Sequence, residues 1–253
     1  ASSGDYILLI GDDDCALPGY FERMEKILEQ YDYPEAVTCN GYSYITPGSV
    51  YSNAKSFYQD PFYEFGLEFQ EGLLSQKMRH EIVSDMFRFR VRFPLNIQPH
   101  LMSRKGINRI KGDIYRPPFP DHYALNSLLL RAKTWLFYPE KLFVVGVTPN
   151  SCGFHVHNND ISGALAYLGL KIEGANFLPG SMLINGMHAW LNLLKTDHND
   201  QLGDINIYRA GYVRRQVYSW YLEYKAGAAK SKDLLRRFTK LSFGDWVGLM
   251  ASI

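Results

Sequence analysis

Three consecutive carboxylates, Asp12-Asp13-Asp14, follow the apolar run Tyr6-Ile7-Leu8-Leu9-Ile10 and a single Gly11. Adjacent like charges make one another costly to ionise. Such a cluster is stable where water reaches every member or where a cation sits among them. A divalent cation with hard oxygen ligands, of the kind that carries substrate phosphates, answers that requirement. The other reading is an acidic turn in which Asp14 or a neighbour caps the helix starting near Leu17. A separate carboxylate, Asp121, closes the stiff segment Arg116-Pro117-Pro118-Phe119-Pro120 at a helix start. There it reads either as an N-cap or as a general base. His155 and His157 alternate in Ser151-Cys152-Gly153-Phe154-His155-Val156-His157, which puts both on one side of an extended segment. They are either ligands or ordinary surface histidines.

The elements that must position these residues are legible from periodicity. The apolar run has the length of a strand buried on both faces, with the acids beyond its carboxyl end, where open α/β sheets bind ligands. Residues 17–31 read as a helix with Phe21, Met24, Ile27 and Leu28 on one face and Pro18 in its first turn. Residues 36–39 and 42–45 read as strand around a bend or bulge at Asn40-Gly41, and 46–61 as a long polar loop. Residues 68–93 read as a long amphipathic helix whose arginines (Arg79, Arg88, Arg90, Arg92) either meet phosphate or, the favoured reading, form a solvated or salt-bridged face. Residues 96–103 read as a strand that Pro99 assigns to an edge. A helix after Asp121 leads into two short strands, 135–138 and 142–147, around Pro139-Glu140. Helices follow over 182–194 and 207–224. The expected architecture is α/β: a mixed sheet flanked by helices over 1–158, then a helical extension over 159–253.

A net charge of +1 excludes a global nucleic-acid footprint. Cys15, Cys39 and Cys152 form no disulfide framework and no metal pattern, which fits a reducing, cytoplasmic setting. No apolar run approaches the ~20 residues of a membrane span. Residues 225–250 combine Lys225, Lys230, Lys232, Arg236, Arg237 and Lys240 with Leu234, Leu235, Phe238 and Trp246. Two readings are open: peripheral contact with the inner face of a membrane, or a helix packed on the domain with a solvated basic face.

The stretch Gly4-Asp5-Tyr6-Ile7, then Asp12-Asp13-Asp14, then Pro18 resembles the family 2 glycosyltransferases, which have the nucleotide-diphospho-sugar-binding GT-A fold. The resemblance implies that Asp13 is the metal ligand of a DxD motif, with Asp12 and Asp14 on the donor ribose or the metal. Gly11 stands where many members carry the first Asp. It also implies Mn²⁺ or Mg²⁺, a nucleotide-sugar donor (a UDP-sugar favoured), and a glycan or lipid-linked acceptor, as in surface polysaccharide synthesis. Asp121 takes the place of the catalytic base, although Pro120 rather than Glu precedes it and His122 follows. His155 takes the place of a further metal ligand. The family spends about 80–100 residues on βαβ units before this motif, so the resemblance implies that this chain is the C-terminal portion of such a domain. Two other classes stay open: a non-catalytic interaction module on the same fold, and another metal-dependent phosphoryl or nucleotidyl transferase.

Overall fold

The computed structural model describes residues 3–46, 57–59, 69–157, 177–225 and 227–251. The expected boundary between residues 158 and 159 and most of the expected 46–61 loop lie outside them. The fold is mixed α/β. Its sheet contains β1 (Tyr6–Leu8), β2 (Cys15–Ala16), β3 (Ala36–Ile45), β4 (Phe57–Gln59), β5 (Gly72–Leu73), β6 (His100–Ser103) and β7 (Trp135–Val147). The order along the main path is β1-β6-β3-β7-β2; β4 adds to β3 and β5 to β7. Among the described residues only β3 and β7 pair in parallel.

Several expectations change here. The run at 5–10 is not a strand buried on both faces: β1 is three residues long, half-buried, and paired with β6 alone among the described residues. The strand after Pro99 is not an edge. β6 lies between β1 and β3, and Pro99 stands just before it, its carbonyl accepting from Cys39 N–H. Residues 135–147 form one long strand rather than two, because Pro139 and Glu140 sit at a register shift opposite the Cys39–Gly41 irregularity of β3. The Asn40-Gly41 bend is present. There, Gly41 has no room for a side chain, since a Cβ would come within 2.5 Å of the Phe143 ring.

Helix α1 (Tyr20–Gln30) covers one sheet face with Tyr20, Met24 and Ile27. Pro18 lies before it, not in its first turn; Gly19 is the N-cap with φ +81°. The other face carries α2 (Gln76–Phe87) and α4 (Pro120–Arg131), with the short α3 (Arg104–Ile107) after β6. The helix expected over 68–93 is thus confined to α2. Ser75 caps its start, and Arg88 and Phe89 (φ +57°) turn the chain out of it. Of the four arginines Arg79 alone leaves the solvated, salt-bridged face, and Arg90 is exposed. Buried Arg79 donates to the Leu129, Ala132 and Lys133 carbonyls that end α4, while Arg88 and Arg92 pair with Asp85. Beyond β7 come α5 (Cys152–His157), α6 (Met182–Asp197), α7 (Asn199–Leu202), α8 (Arg209–Lys225), α9 (Ser231–Phe238) and α10 (Phe243–Met250). Trp190, Leu191, Tyr212 and Trp220 from α6 and α8 join the same core as Phe87, Tyr123 and Trp135.

Within that core one polar chain fixes its own proton positions. Trp135 Nε1–H donates to Thr38 Oγ1 at 2.8 Å, Thr38 lies 2.8 Å from His100 Nδ1, and His100 Nε2 reaches the Pro94 carbonyl at 3.2 Å. A carbonyl only accepts, so Nε2 carries the proton and Nδ1 accepts from Thr38. Burial pushes the His100 imidazole down to about 3, so it is neutral.

Candidate active site at the end of strand β7

The acidic turn is held by geometry that the strand pairing imposes. Leu8 is level with Leu136 through β6 and β3, whereas Cys15 pairs with Val144. On β3 the same two levels are five residues apart, Val37 to Tyr42, so on a flat sheet those points would lie about 17 Å apart along the strands and about 19 Å across them, or roughly 25 Å in all. Seven residues reach about 25 Å only when fully extended, and this connection contains the turn in which Asp14 N–H donates to the Gly11 carbonyl. The sheet must therefore curl, which brings the acidic turn onto β7. Gly146 makes that approach possible, since a Cβ there would lie 2.1 Å from the Asp13 carbonyl oxygen.

The three acids are not equivalent. Asp14 is a structural clamp: one carboxylate oxygen accepts Gly11 N–H at 2.6 Å and the other Gly146 N–H at 3.0 Å. Asp13 is half-buried and accepts the Thr148 hydroxyl at 2.9 Å. Burial, with the charges of Asp14 and Asp12 behind it, holds its carboxyl above the ordinary range despite that hydrogen bond. Asp12 is exposed. Gly11 now has a reason as well: a Cβ there would stand 2.9 Å from the Asp14 carboxylate and 3.1 Å from that of Asp13.

Thr148 begins a tight corner. Ser151 N–H donates to the Thr148 carbonyl, and the Ser151 hydroxyl accepts from the N–H groups of Thr148 and Phe154 at 3.1 and 3.2 Å. The corner delivers Cys152 at the start of α5, where it meets the field of Asp121. Burial first, and Asp121 second, push the Cys152 thiol up to about 11. The same two causes, in the same order, raise the Tyr115 hydroxyl. Asp121 is not the N-cap of α4. Phe119 is, without a side-chain cap, and Asp121 sits one residue inside Pro120, in the first turn, where the helix dipole favours a negative charge. Its carboxylate is about one-third exposed and lies 3.9 Å from His122 Nε2. His122 stacks on Phe119, and its buried Nδ1 has no hydrogen-bond partner among the described residues.

Asp13 thus accepts from Thr148, and the charge of Asp121 reaches Cys152 four residues further along the chain, although the two acids are far apart in sequence. His155 lies a turn further on. It is half-buried with its ring edge-on to Phe154, and it is carried on a helix, not on an extended segment. The reading of an extended segment therefore does not hold for His155, and the side chain of His157 lies outside those described. Among the described residues no three His, Cys, Asp or Glu side chains converge as a metal cage. A Mg²⁺-type ion bound mainly by water and substrate phosphates needs only one or two carboxylates, and the half-buried Asp13 with exposed Asp12 is a donor set of that kind.

Sequence reasoning missed Thr148, Ser151, Cys152, Tyr115 and Gly146. Two signals were present: a lone glycine inside a strand marks a close backbone approach, and Thr148-Pro149-Asn150-Ser151 is a turn tetrapeptide. Beside β1 a cleft of about 1430 Å³ runs from Ile10 past Phe21 to Arg104 and Lys105. Compared with known proteins, the chain matches no family model and no curated protein. Among the described residues no helix is long and apolar enough to cross a membrane.

Proposed function

We propose that this chain carries the metal-binding and acceptor-activating side of an inverting, metal-dependent glycosyltransferase of the GT-A type. The donor is a nucleotide-diphosphate sugar, with a UDP-sugar favoured, and the acceptor is a hydroxyl of a glycan or lipid-linked glycan. The observation that carries the reading is the corner that begins at Thr148. Asp13, a carboxylate suited to a cation, accepts the Thr148 hydroxyl, and the charge of Asp121, a carboxylate suited to proton transfer, reaches Cys152 four residues on.

The division of labour follows from the surroundings. Asp13 and Asp12 would hold Mn²⁺ or Mg²⁺, which when bound offsets the charge that develops on the leaving nucleoside diphosphate. Asp14, with both oxygens on backbone N–H groups, keeps the turn in place. Asp121 takes the proton of the attacking acceptor hydroxyl onto a carboxylate oxygen. That carboxylate is partly open to an incoming hydroxyl and carries no competing ion pair with Lys or Arg among the described residues. Tyr115, partly exposed and within the field of Asp121, is the ring that would stack on a sugar.

The test is Asp121→Asn. Loss of the base predicts a fall in turnover of about 10²–10⁴-fold with donor binding retained. Unchanged turnover removes Asp121 from the mechanism.

A further inference from the structure

The C-terminal helices hold an apolar face outward. On α10, Phe243, Trp246, Val247 and Met250 recur at helical spacing and are 85, 43, 52 and 71% exposed. The orientation is fixed from the other side. Asp245 is buried against Arg209 at 2.9 Å and closes a reciprocal cap with Ser242, at 3.1 Å in each direction. Gly248 lies so close to α8 that a Cβ would come within 3.0 Å of the Ala210 methyl group. Turning the stripe inward would break the ion pair and the cap together.

The charge around the stripe selects what covers it. Residues 209–251 contain nine Lys and Arg against three acids, which leaves eighteen basic and twenty-three acidic residues for the rest of the chain. All three acids are committed internally: Glu223 to Arg237, Asp245 to Arg209, and Asp233 to the backbone N–H that starts α9. Lys232, Arg236 and Lys240, spaced by four residues along α9 and its end, are exposed. So is Leu235 beside them. Phe238 of α9 stacks on Trp246 of α10 at 5.5 Å, so basic and apolar side chains belong to one packed unit. An exposed helical apolar stripe flanked by cations, with no free acid of its own, complements an anionic bilayer, into which Phe and Trp insert while Lys and Arg stay at the phosphates.

We infer that α9 and α10 form a docking surface for an anionic lipid membrane. This goes beyond the transferase reading and stands on different residues.

Trp135, Trp190 and Trp220 are fully buried, so Trp246 is the tryptophan that reports on the stripe. The experiment is co-sedimentation and tryptophan fluorescence with vesicles of equimolar phosphatidylcholine and phosphatidylglycerol, and with phosphatidylcholine alone. Binding with a blue shift is expected on the anionic vesicles, at least about tenfold stronger than on the zwitterionic ones and weakened by salt. The variant Phe243→Ser/Val247→Ser/Met250→Ser changes only exposed side chains and keeps the native circular dichroism spectrum. It should lose at least about tenfold in partitioning. Lys232→Gln/Arg236→Gln/Lys240→Gln should lose the anionic preference. Absence of wild-type binding, equal binding to both vesicles, or full binding by the serine variant overturns the inference. So does a concentration-dependent dimer that the serine variant abolishes, which would assign the stripe to a second copy of the chain.

Discussion

Asp13 is where charge, burial and hydrogen bonding meet, and its raised pKa has a thermodynamic consequence. A carboxyl whose folded value lies above its ordinary 3.8 contributes stability below that value, where it is protonated in both states. The contribution is lost as pH rises through the folded value, because the folded protein releases the proton less readily than the unfolded chain. Asp13→Asn keeps an oxygen that accepts from Thr148 and removes the charge. The variant should therefore be more stable than wild type at neutral pH and gain nothing below the ordinary aspartate range, as thermal melts across pH would show. Mn²⁺ reverses the order, since a ligand that binds the folded state alone adds stability in proportion to RT ln(1 + [L]/Kd). Wild type should rise in Tm with Mn²⁺ and Asp13→Asn should not. A variant less stable than wild type at neutral pH contradicts the assignment of Asp13 as a partly buried, electrostatically crowded carboxylate.

At the scale of elements, the site depends on β7 and the turn pressed onto it. Gly146 is the point of contact. Gly146→Ala places a methyl group where the Asp13 carbonyl stands, and the turn must lift. Overpacking of this kind costs about 1–3 kcal/mol, and lifting the turn also removes the Gly146 N–H from Asp14 and the Thr148 hydroxyl from Asp13. The expected result is a lower denaturation midpoint together with loss of the Mn²⁺ effect on Tm. An alanine variant of wild-type stability contradicts the close approach. The same elements show what the sequence could and could not disclose. Helical faces such as Met24–Ile27 and the Asn40-Gly41 irregularity were legible because they rest on local periodicity and turn chemistry. The central place of β6, the continuity of β7 through Pro139 and the helix at 152–157 were not. Those are decided by partners far along the chain: β6 gains β1 and β3 on its two sides, and a register shift in β3 accommodates the proline. Asp121 was read as a helix-start residue, and it is one. Its position one residue inside Pro120 depends on where the proline-rich segment joins α4, which periodicity does not fix.

At the scale of the whole molecule, the core unites the sheet with the C-terminal helices, for Trp190, Tyr212 and Trp220 pack in the cluster that holds Phe87, Tyr123 and Trp135. That shared core fixes α4, and with it Asp121, relative to β7. The polarity of the chain is equally global: an acidic remainder holding the carboxylate site, and a basic helical end. The clustering of Asp12, Asp13 and Asp14 was legible as candidate chemistry from adjacent letters alone. Their unequal roles were not, because they arise from the contacts of the turn with Gly146 and Thr148, more than 130 residues away in the chain. The claim that these carboxylates serve one transfer site is tested most directly by calorimetric titration of UDP and UDP-sugars into the folded protein, with and without Mn²⁺, in wild type, Asp13→Asn and Asp121→Asn. Binding that requires Mn²⁺, disappears in Asp13→Asn and persists in Asp121→Asn is the predicted result. Folded wild-type protein that binds no UDP-sugar in Mn²⁺, or binding indifferent to Asp13→Asn, contradicts it.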